Sequence, residues 1–147
     1  MTDTSDIPSR TRQPAVAGGR TAVGVALAAL ASVVLNTVIA VIAEAALPAD
    51  RVRIGLALEE YAPLTVAGIL LGTLAWYLVR RNARNPVAVL RVLVPVAVLV
   101  SLVPDFGILA TGAHPLNSLA LVTMHLVVAA TTVPVLLKVL PLPRSTT

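Results

Sequence analysis

The sequence predicts an all-α fold, an integral membrane four-helix bundle whose N and C termini both lie on the cytoplasmic side. Hydrophobic residues make up 57% of the 147 residues and charged residues only 12%, about half the charged share of a typical soluble domain. The charges fall in short clusters between four long apolar runs. A helix of about 20 such residues crosses roughly 30 Å of hydrocarbon. We therefore predict four spans.

Each predicted span is bounded by charged or helix-breaking residues. Arg80 and Arg81 follow the second run, Pro104 ends the third, and Pro115 precedes the fourth. Arg91 lies in the first turn of the third run, where its long side chain can reach the membrane interface. The predicted spans are residues 21–46, 61–79, 87–103 and 116–138, within one transmembrane domain from 21 to 140.

The orientation follows from the distribution of basic residues. Nine of the 11 lysines and arginines flank the termini or the second connection, whereas only Arg51 and Arg53 lie on the other side. Because cytoplasmic segments are enriched in basic residues, we place both termini in the cytoplasm. Residues 1–20 are expected to form a disordered cytoplasmic tail and residues 141–147 a second tail. The first run is longer than the apolar core of a signal peptide, so we predict a retained span.

The two connections on the non-cytoplasmic side differ in character. Val52, Ile54, Leu56 and Leu58 alternate with other residues, a two-residue period that predicts either a short strand or an irregular loop lying on the helix ends. The connection 104–115 is rich in glycine and proline and is predicted to be irregular. Asp105 and His114 within it are expected to be a solvated pair of loop residues; the alternative is that they bind a metal at the non-cytoplasmic mouth of the bundle.

Two polar residues lie deep inside predicted spans. Asn36 and His125 are each about ten residues from the non-cytoplasmic end of their spans, so they have similar depth and can meet across antiparallel helices. One interpretation is a ligand-binding or proton-relay site, because histidine titrates near neutral pH. The other is an interhelical hydrogen bond of about 1 kcal/mol that fixes packing.

Small residues recur at helical spacing along the spans. They predict surfaces where another backbone approaches closely. On the fourth span, one face carries three polar residues seven positions apart. The small or polar positions on the first span are Gly24, Ala28, Ser32, Asn36 and Ala40, and those on the second are Gly68 and Gly72. Glu44 ends the first series and is expected to lie in headgroup water. The polar face of the fourth span is Ser118, His125 and Thr132.

The residues that would support most chemistries are missing from the sequence. It has no cysteine and only two histidines, His114 and His125, so no thiolate site and no histidine pair at metal-ligand spacing is predicted. We therefore expect no cofactor, no metal and no enzymatic activity. Aromatic residues make up 3% of the chain, which argues against nucleic acid as a partner. The expected partners are the lipid bilayer and either another membrane protein or further copies of the chain.

The stretch from Leu119 to Ala130, followed by Pro134, resembles the last helix of a group of small bacterial membrane proteins. The group is catalogued as domain of unknown function 6069 and is found mainly in actinobacteria. Asn36 in the first span and Pro104 after the third also resemble its pattern. The resemblance covers about residues 20–140. It implies four helices in the cytoplasmic membrane of a bacterium and no known activity.

Two functions are compatible with this sequence. The first is a non-enzymatic membrane component or accessory subunit that acts through helix packing. The second is a small-molecule or proton-coupled carrier with its site at Asn36 and His125. An isolated bundle of four helices leaves little room for a transport path, which favours the first.

Overall fold

The computed structural model describes residues 16–142, with side chains from residue 18. The described chain is all-helical, and four of its segments are long and apolar enough to cross a membrane. These observations confirm the predicted all-helical fold and its four apolar segments of membrane-spanning length. Their placement in a membrane stays a prediction. The side of the membrane on which the termini lie stays a prediction. The helices are α1 (Val16–Ala46), α2 (Leu58–Asn82), α3 (Pro86–Ser101), α4 (Val103–Ala110) and α5 (Pro115–Val139).

The first helix begins earlier than the sequence indicated. It starts at Val16, so the last five residues of the predicted tail, 16–20, are helical. Gly18 and Gly19 lower helix propensity by about 1 kcal/mol each, yet a long apolar helix can continue through them. The rest of that tail, residues 1–15, and residues 143–147 lie outside the described part of the chain.

The third apolar segment bends instead of ending at Pro104. Helix α3 stops at Ser101, Leu102 keeps a helical conformation with φ −80° and ψ −14°, and α4 starts at Val103. Proline fits the first turn of a helix because its missing N–H has no partner to lose there. The predicted irregular loop from 104 is therefore wrong up to residue 110. Asp105, expected in solvated loop, lies inside a helix and is buried.

The connection 47–57 is irregular, so of the two predictions the loop is correct and the strand is wrong. The Asn117 side chain pairs with the backbone of Ile54 in this connection, as a neighbouring strand would. Its Oδ1 accepts a hydrogen bond from the Ile54 N–H at 3.0 Å, and its Nδ2 donates to the Ile54 carbonyl oxygen at 2.8 Å. Gly55 adopts φ +75°, and a Cβ added there would lie 3.0 Å from Cδ2 of Leu121, so both the conformation and the clearance favour glycine. Leu56 is buried beneath the loop.

The helices form a ring in the order α1, α2, α3–α4, α5. Helix α1 packs mainly against α5 and also against α2, whereas α3 packs against α2 and α5, and within residues 16–142 it makes no contact with α1. We call the two ends of the bundle the loop end, with connections 47–57 and 111–114, and the terminus end, where α1 begins and α5 ends.

The small-residue face of α1 is buried as predicted. Ala28, Ser32 and Ala40 are each less than 5% exposed, and the Ser32 hydroxyl lies 2.6 Å from that of Thr131 on α5. A Cβ on Gly24 would lie 2.6 Å from Cγ1 of Val139, so glycine is required for this approach. Glu44, beyond the packed face, is exposed. The face therefore serves as the contact surface between the first and last helices.

Candidate functional site

A cleft opens between α2, α3–α4 and α5 because the third segment packs sparsely. Helix α3 buries only Pro86 and Leu90. Helix α4 bends onto α5 and, among the described residues, makes no contact with α2. The resulting cavity has a volume of about 800 Å³. Its walls come from all four apolar segments and from the connection 47–57, so it is a feature of the whole bundle.

The cleft is elongated along the helices and its polarity changes from end to end. Helix α2 lines it from Glu60 to Trp76, a rise of ~24 Å at 1.5 Å per residue. The loop end carries the ionisable side chains, whereas the terminus end is apolar. The lining side chains at the loop end include Glu60, Tyr61, Asn36, Asp105 and His125; those at the terminus end include Val94, Val133, Leu136 and Trp76.

Asp105 and His125 form the most polar part of the wall. Asp105 is 4% exposed, and its Oδ2 lies 2.9 Å from Nδ1 of His125. The same nitrogen lies 3.0 Å from the Leu121 carbonyl oxygen. The imidazole is better aligned with that carbonyl, so Oδ2 has the imidazole at ion-pair distance but accepts no well-formed hydrogen bond. Because both neighbours of Nδ1 are acceptors, this arrangement favours a proton on Nδ1.

Asn36 reaches the same cleft from α1. It is 1% exposed, and its Nδ2 donates to the Thr65 hydroxyl on α2 at 3.1 Å. Its Oδ1 and the Oγ1 of Thr132 are buried without a hydrogen-bond partner in the described chain. A buried polar atom without a partner costs about 1–3 kcal/mol. Together with Oδ2 of Asp105, the cleft wall therefore holds three oxygen atoms whose hydrogen-bonding capacity is unused.

Gly68 and Gly72, predicted to let another backbone approach closely, do not pack against another helix of the described chain. They line the cleft, and no atom of the described chain lies within 4 Å of a Cβ added at either position. Within the chain, then, they do not support close helix packing. Because glycine has no side chain, α2 leaves open space in the cleft at these two positions.

The predicted contact between Asn36 and His125 is replaced by two separate contacts. Asn36 bonds to Thr65 and His125 lies beside Asp105, although both residues line the same cleft. Similar depth does not determine which way each side chain points around its helix. Whether they serve a function or only packing stays a prediction.

Asp105 is the functional candidate that the sequence reasoning missed. A signal was present: the residues after it, Phe106, Ile108 and Leu109, are apolar, which indicates that the span continues. His114, the other residue of the connection with possible chemistry, caps α5, its Nδ1 accepting from the Leu116 N–H at 3.3 Å. Among the described residues, no group of three or more histidine, aspartate or glutamate side chains is placed to hold a metal ion.

Residues 14–141 match the model of a family described as a family of unknown function, DUF6069. The chain belongs to this family. The match covers both the cleft and the packed helices, so the cleft described above lies wholly within the DUF6069 domain. Comparison with curated proteins and with solved structures found no match.

The groups present in the cleft wall of this DUF6069 protein are suited to recognising a ligand. The wall offers an apolar surface with acceptor oxygens gathered toward one end, and an imidazole beside a buried carboxylate. A group held there would be oriented by hydrogen bonds while its apolar part contacts the wall.

Proposed function

We propose that this DUF6069 protein is a bilayer-embedded binding protein for a small amphipathic molecule, which it holds in the cleft between α2, α3–α4 and α5. The observation that carries the proposal is a cavity of about 800 Å³ with an apolar wall and buried polar atoms that lack partners. Ligand sites typically have volumes of roughly 300–1,000 Å³ and the same composition, an apolar lining with a few polar groups that fix orientation.

The unpartnered polar atoms argue against a cleft filled by lipid tails alone. A hydrocarbon chain offers no hydrogen bond, so the carboxylate of Asp105 and the amide oxygen of Asn36 would remain desolvated at a cost of several kcal/mol. A molecule with a polar group and an apolar body satisfies both parts of the wall. The proposal does not require transport. A carrier would use the same binding site and would also need a path to the other side of the membrane.

The single tryptophan of the chain provides a direct test, since Trp76 lines the cleft. Bromine quenches tryptophan fluorescence on contact. We expect ω-bromododecanol, added to the protein in phosphatidylcholine nanodiscs, to quench Trp76 saturably. Gly72→Leu fills open space in the cleft and should abolish the saturable component. Leu71→Phe is the matched control, because Leu71 is 67% exposed and lies outside the cleft lining.

Quenching that grows in proportion to the bilayer concentration of the probe, and that is equal in Gly72→Leu and Leu71→Phe, would refute the proposal. Thermal unfolding of both variants provides the folding control. Neither substitution touches the packed face of α1, so both proteins should unfold close to the wild-type temperature.

A second candidate function is an accessory subunit whose cleft receives a helix of another membrane protein. Gly68 and Gly72 favour it, because two glycines four residues apart with open space in front of them let a partner helix approach closely. The same Gly72→Leu variant should then lose a co-purifying partner. Saturable binding of ω-bromododecanol by the purified chain alone would favour the first function.

The location that fits either function is the cytoplasmic membrane of a bacterium, with both termini in the cytoplasm. The support is the distribution of basic residues, nine against two. Reporter fusions after residues 55 and 83 test it. The fusion after residue 55 should be active only as a periplasmic reporter and the fusion after residue 83 only as a cytoplasmic one; the reverse result would overturn the orientation.

A further inference from the structure

The charge of the cleft wall restricts what it can bind. Its titratable side chains are Glu60 and Tyr61 from α2, Asp105 from α4 and His125 from α5. The lining within the described chain includes no lysine or arginine. Two carboxyl groups and an imidazole without any fixed positive charge make a poor site for an anion, because a carboxylate or phosphate would meet like charge with no lysine or arginine to compensate it.

The unused hydrogen-bonding atoms point to the same class of ligand. Oδ2 of Asp105 and Oδ1 of Asn36 are both acceptors. In the observed orientation, the amide nitrogen of Asn36 donates to the Thr65 hydroxyl and leaves the amide oxygen without a partner. A group that satisfies both oxygens must therefore donate hydrogen bonds.

We propose that the ligand is an amphipathic amine, with its ammonium group at Asp105 and Asn36 and its apolar chain extending along the cleft toward Trp76. This inference rests on the proposed binding function and deepens it. An ammonium has three donors and a positive charge. It supplies the hydrogen bond that Oδ2 of Asp105 lacks and adds a positive charge beside a residue that is only 4% exposed, where the His125 imidazole is the one neighbouring group at ion-pair distance among the described residues.

The dimensions of the cleft set the direction of the ligand's alkyl chain. From His125, beside the carboxylate, to Leu136 at the apolar end, α5 rises by ~16 Å. Gly68 and Gly72 leave the opposite wall free along this path. A dodecyl chain extended from an ammonium at Asp105 runs past these glycines, so a bromine on its last carbon comes close to Trp76.

Three probes with the same brominated tail distinguish the contribution of the head group to binding from that of the tail. They are ω-bromododecylamine, ω-bromododecanol and ω-bromododecanoic acid. We expect the amine to quench Trp76 saturably with an affinity at least about tenfold higher than the alcohol, the difference that one charge-assisted hydrogen bond supplies. The acid is expected to bind more weakly than the alcohol.

The substitution Asp105→Asn tests the assignment of the head group. It keeps the shape of the side chain and removes its charge, so the preference for the amine over the alcohol should fall by about tenfold while alcohol binding is retained. Glu59→Gln is the matched control. Glu59 is an exposed carboxylate outside the cleft lining, and its removal should leave the preference unchanged. Retained alcohol quenching in Asp105→Asn also shows that the variant is folded.

The outcomes distinguish this inference from the function on which it rests. Saturable quenching by all three probes with equal affinity, or an amine preference that persists in Asp105→Asn, overturns the amine assignment and leaves the binding function standing. Absence of saturable quenching by every probe overturns both. An amine preference lost equally in Asp105→Asn and Glu59→Gln reflects the general surface charge and also overturns the assignment.

Discussion

The two sides of the bundle use the same kinds of residues in opposite ways. Between α1 and α5, small residues are buried and the Ser32 hydroxyl meets a hydroxyl of the facing helix. Between α2 and α3–α4, Gly68 and Gly72 face open space, and the carboxylate of Asp105 has an acceptor atom left over. A small-residue spacing therefore marks a surface that another group can approach, and does not say whether that group belongs to the chain.

Substituting an alanine on each side should give the largest contrast. Ala28 is 3% exposed in the packed interface, so Ala28→Leu forces the helices apart and is expected to cost about 3 kcal/mol of unfolding free energy. Ala97, an exposed residue of the cleft wall, can be enlarged to leucine with a change within about 0.5 kcal/mol. Steric-trap unfolding in bicelles measures both; equal losses would mean that the cleft is closed in solution.

Removing the anchor of the connection 47–57 should have the next largest effect. Asn117→Ala leaves the N–H and carbonyl of Ile54 without their partners and is expected to cost about 2 kcal/mol. The freed loop exposes Arg51 and Arg53 to trypsin, so cleavage there should accelerate. Asn82→Ala, at the exposed end of α2, is the control and should leave the cleavage rate unchanged.

Adding a single methyl group to one glycine on each side of the bundle tests the same comparison with the smallest possible change. Gly24→Ala places a Cβ 2.6 Å from Val139 and should cost about 1.5 kcal/mol in spite of the better helix propensity of alanine. Gly68→Ala meets nothing and should gain about 0.5 kcal/mol. Thermal unfolding in detergent should show shifts of opposite sign, and shifts of the same sign would contradict the comparison.

Two adjacent threonines give the smallest expected effect. Thr131 bonds to Ser32 across the packed interface, whereas the hydroxyl of Thr132 is buried at the cleft without a partner. Thr131→Val should cost about 1 kcal/mol, whereas Thr132→Val, which removes an unpartnered buried hydroxyl, should be neutral or should stabilise the protein by up to about 1 kcal/mol. A loss at Thr132 as large as that at Thr131 would indicate that its hydroxyl is bound to something in the purified protein.

The sequence predicted the features that depend on hydropathy. It failed on those that depend on how each helix is rotated about its own axis. Apolar length alone determined the four segments, and four-residue spacing identified the packed face of α1. The partner of His125 was missed because Pro104 suggested that the span ended, although apolar residues continue beyond Asp105. Asn117 could not be foreseen either, since pairing with the backbone of Ile54 requires knowing where an irregular loop folds back.

The contact between α1 and α5 also determines when the bundle can form. The two helices lie at opposite ends of the described chain and share its most extensive interface. During synthesis, α1 leaves the ribosome first and then remains in the bilayer with Ser32 unmatched until the last helix is inserted. Chains truncated before Pro115 lack the partner of α1, so they should be early substrates for membrane proteases. The described bundle is complete only once α5 has been inserted.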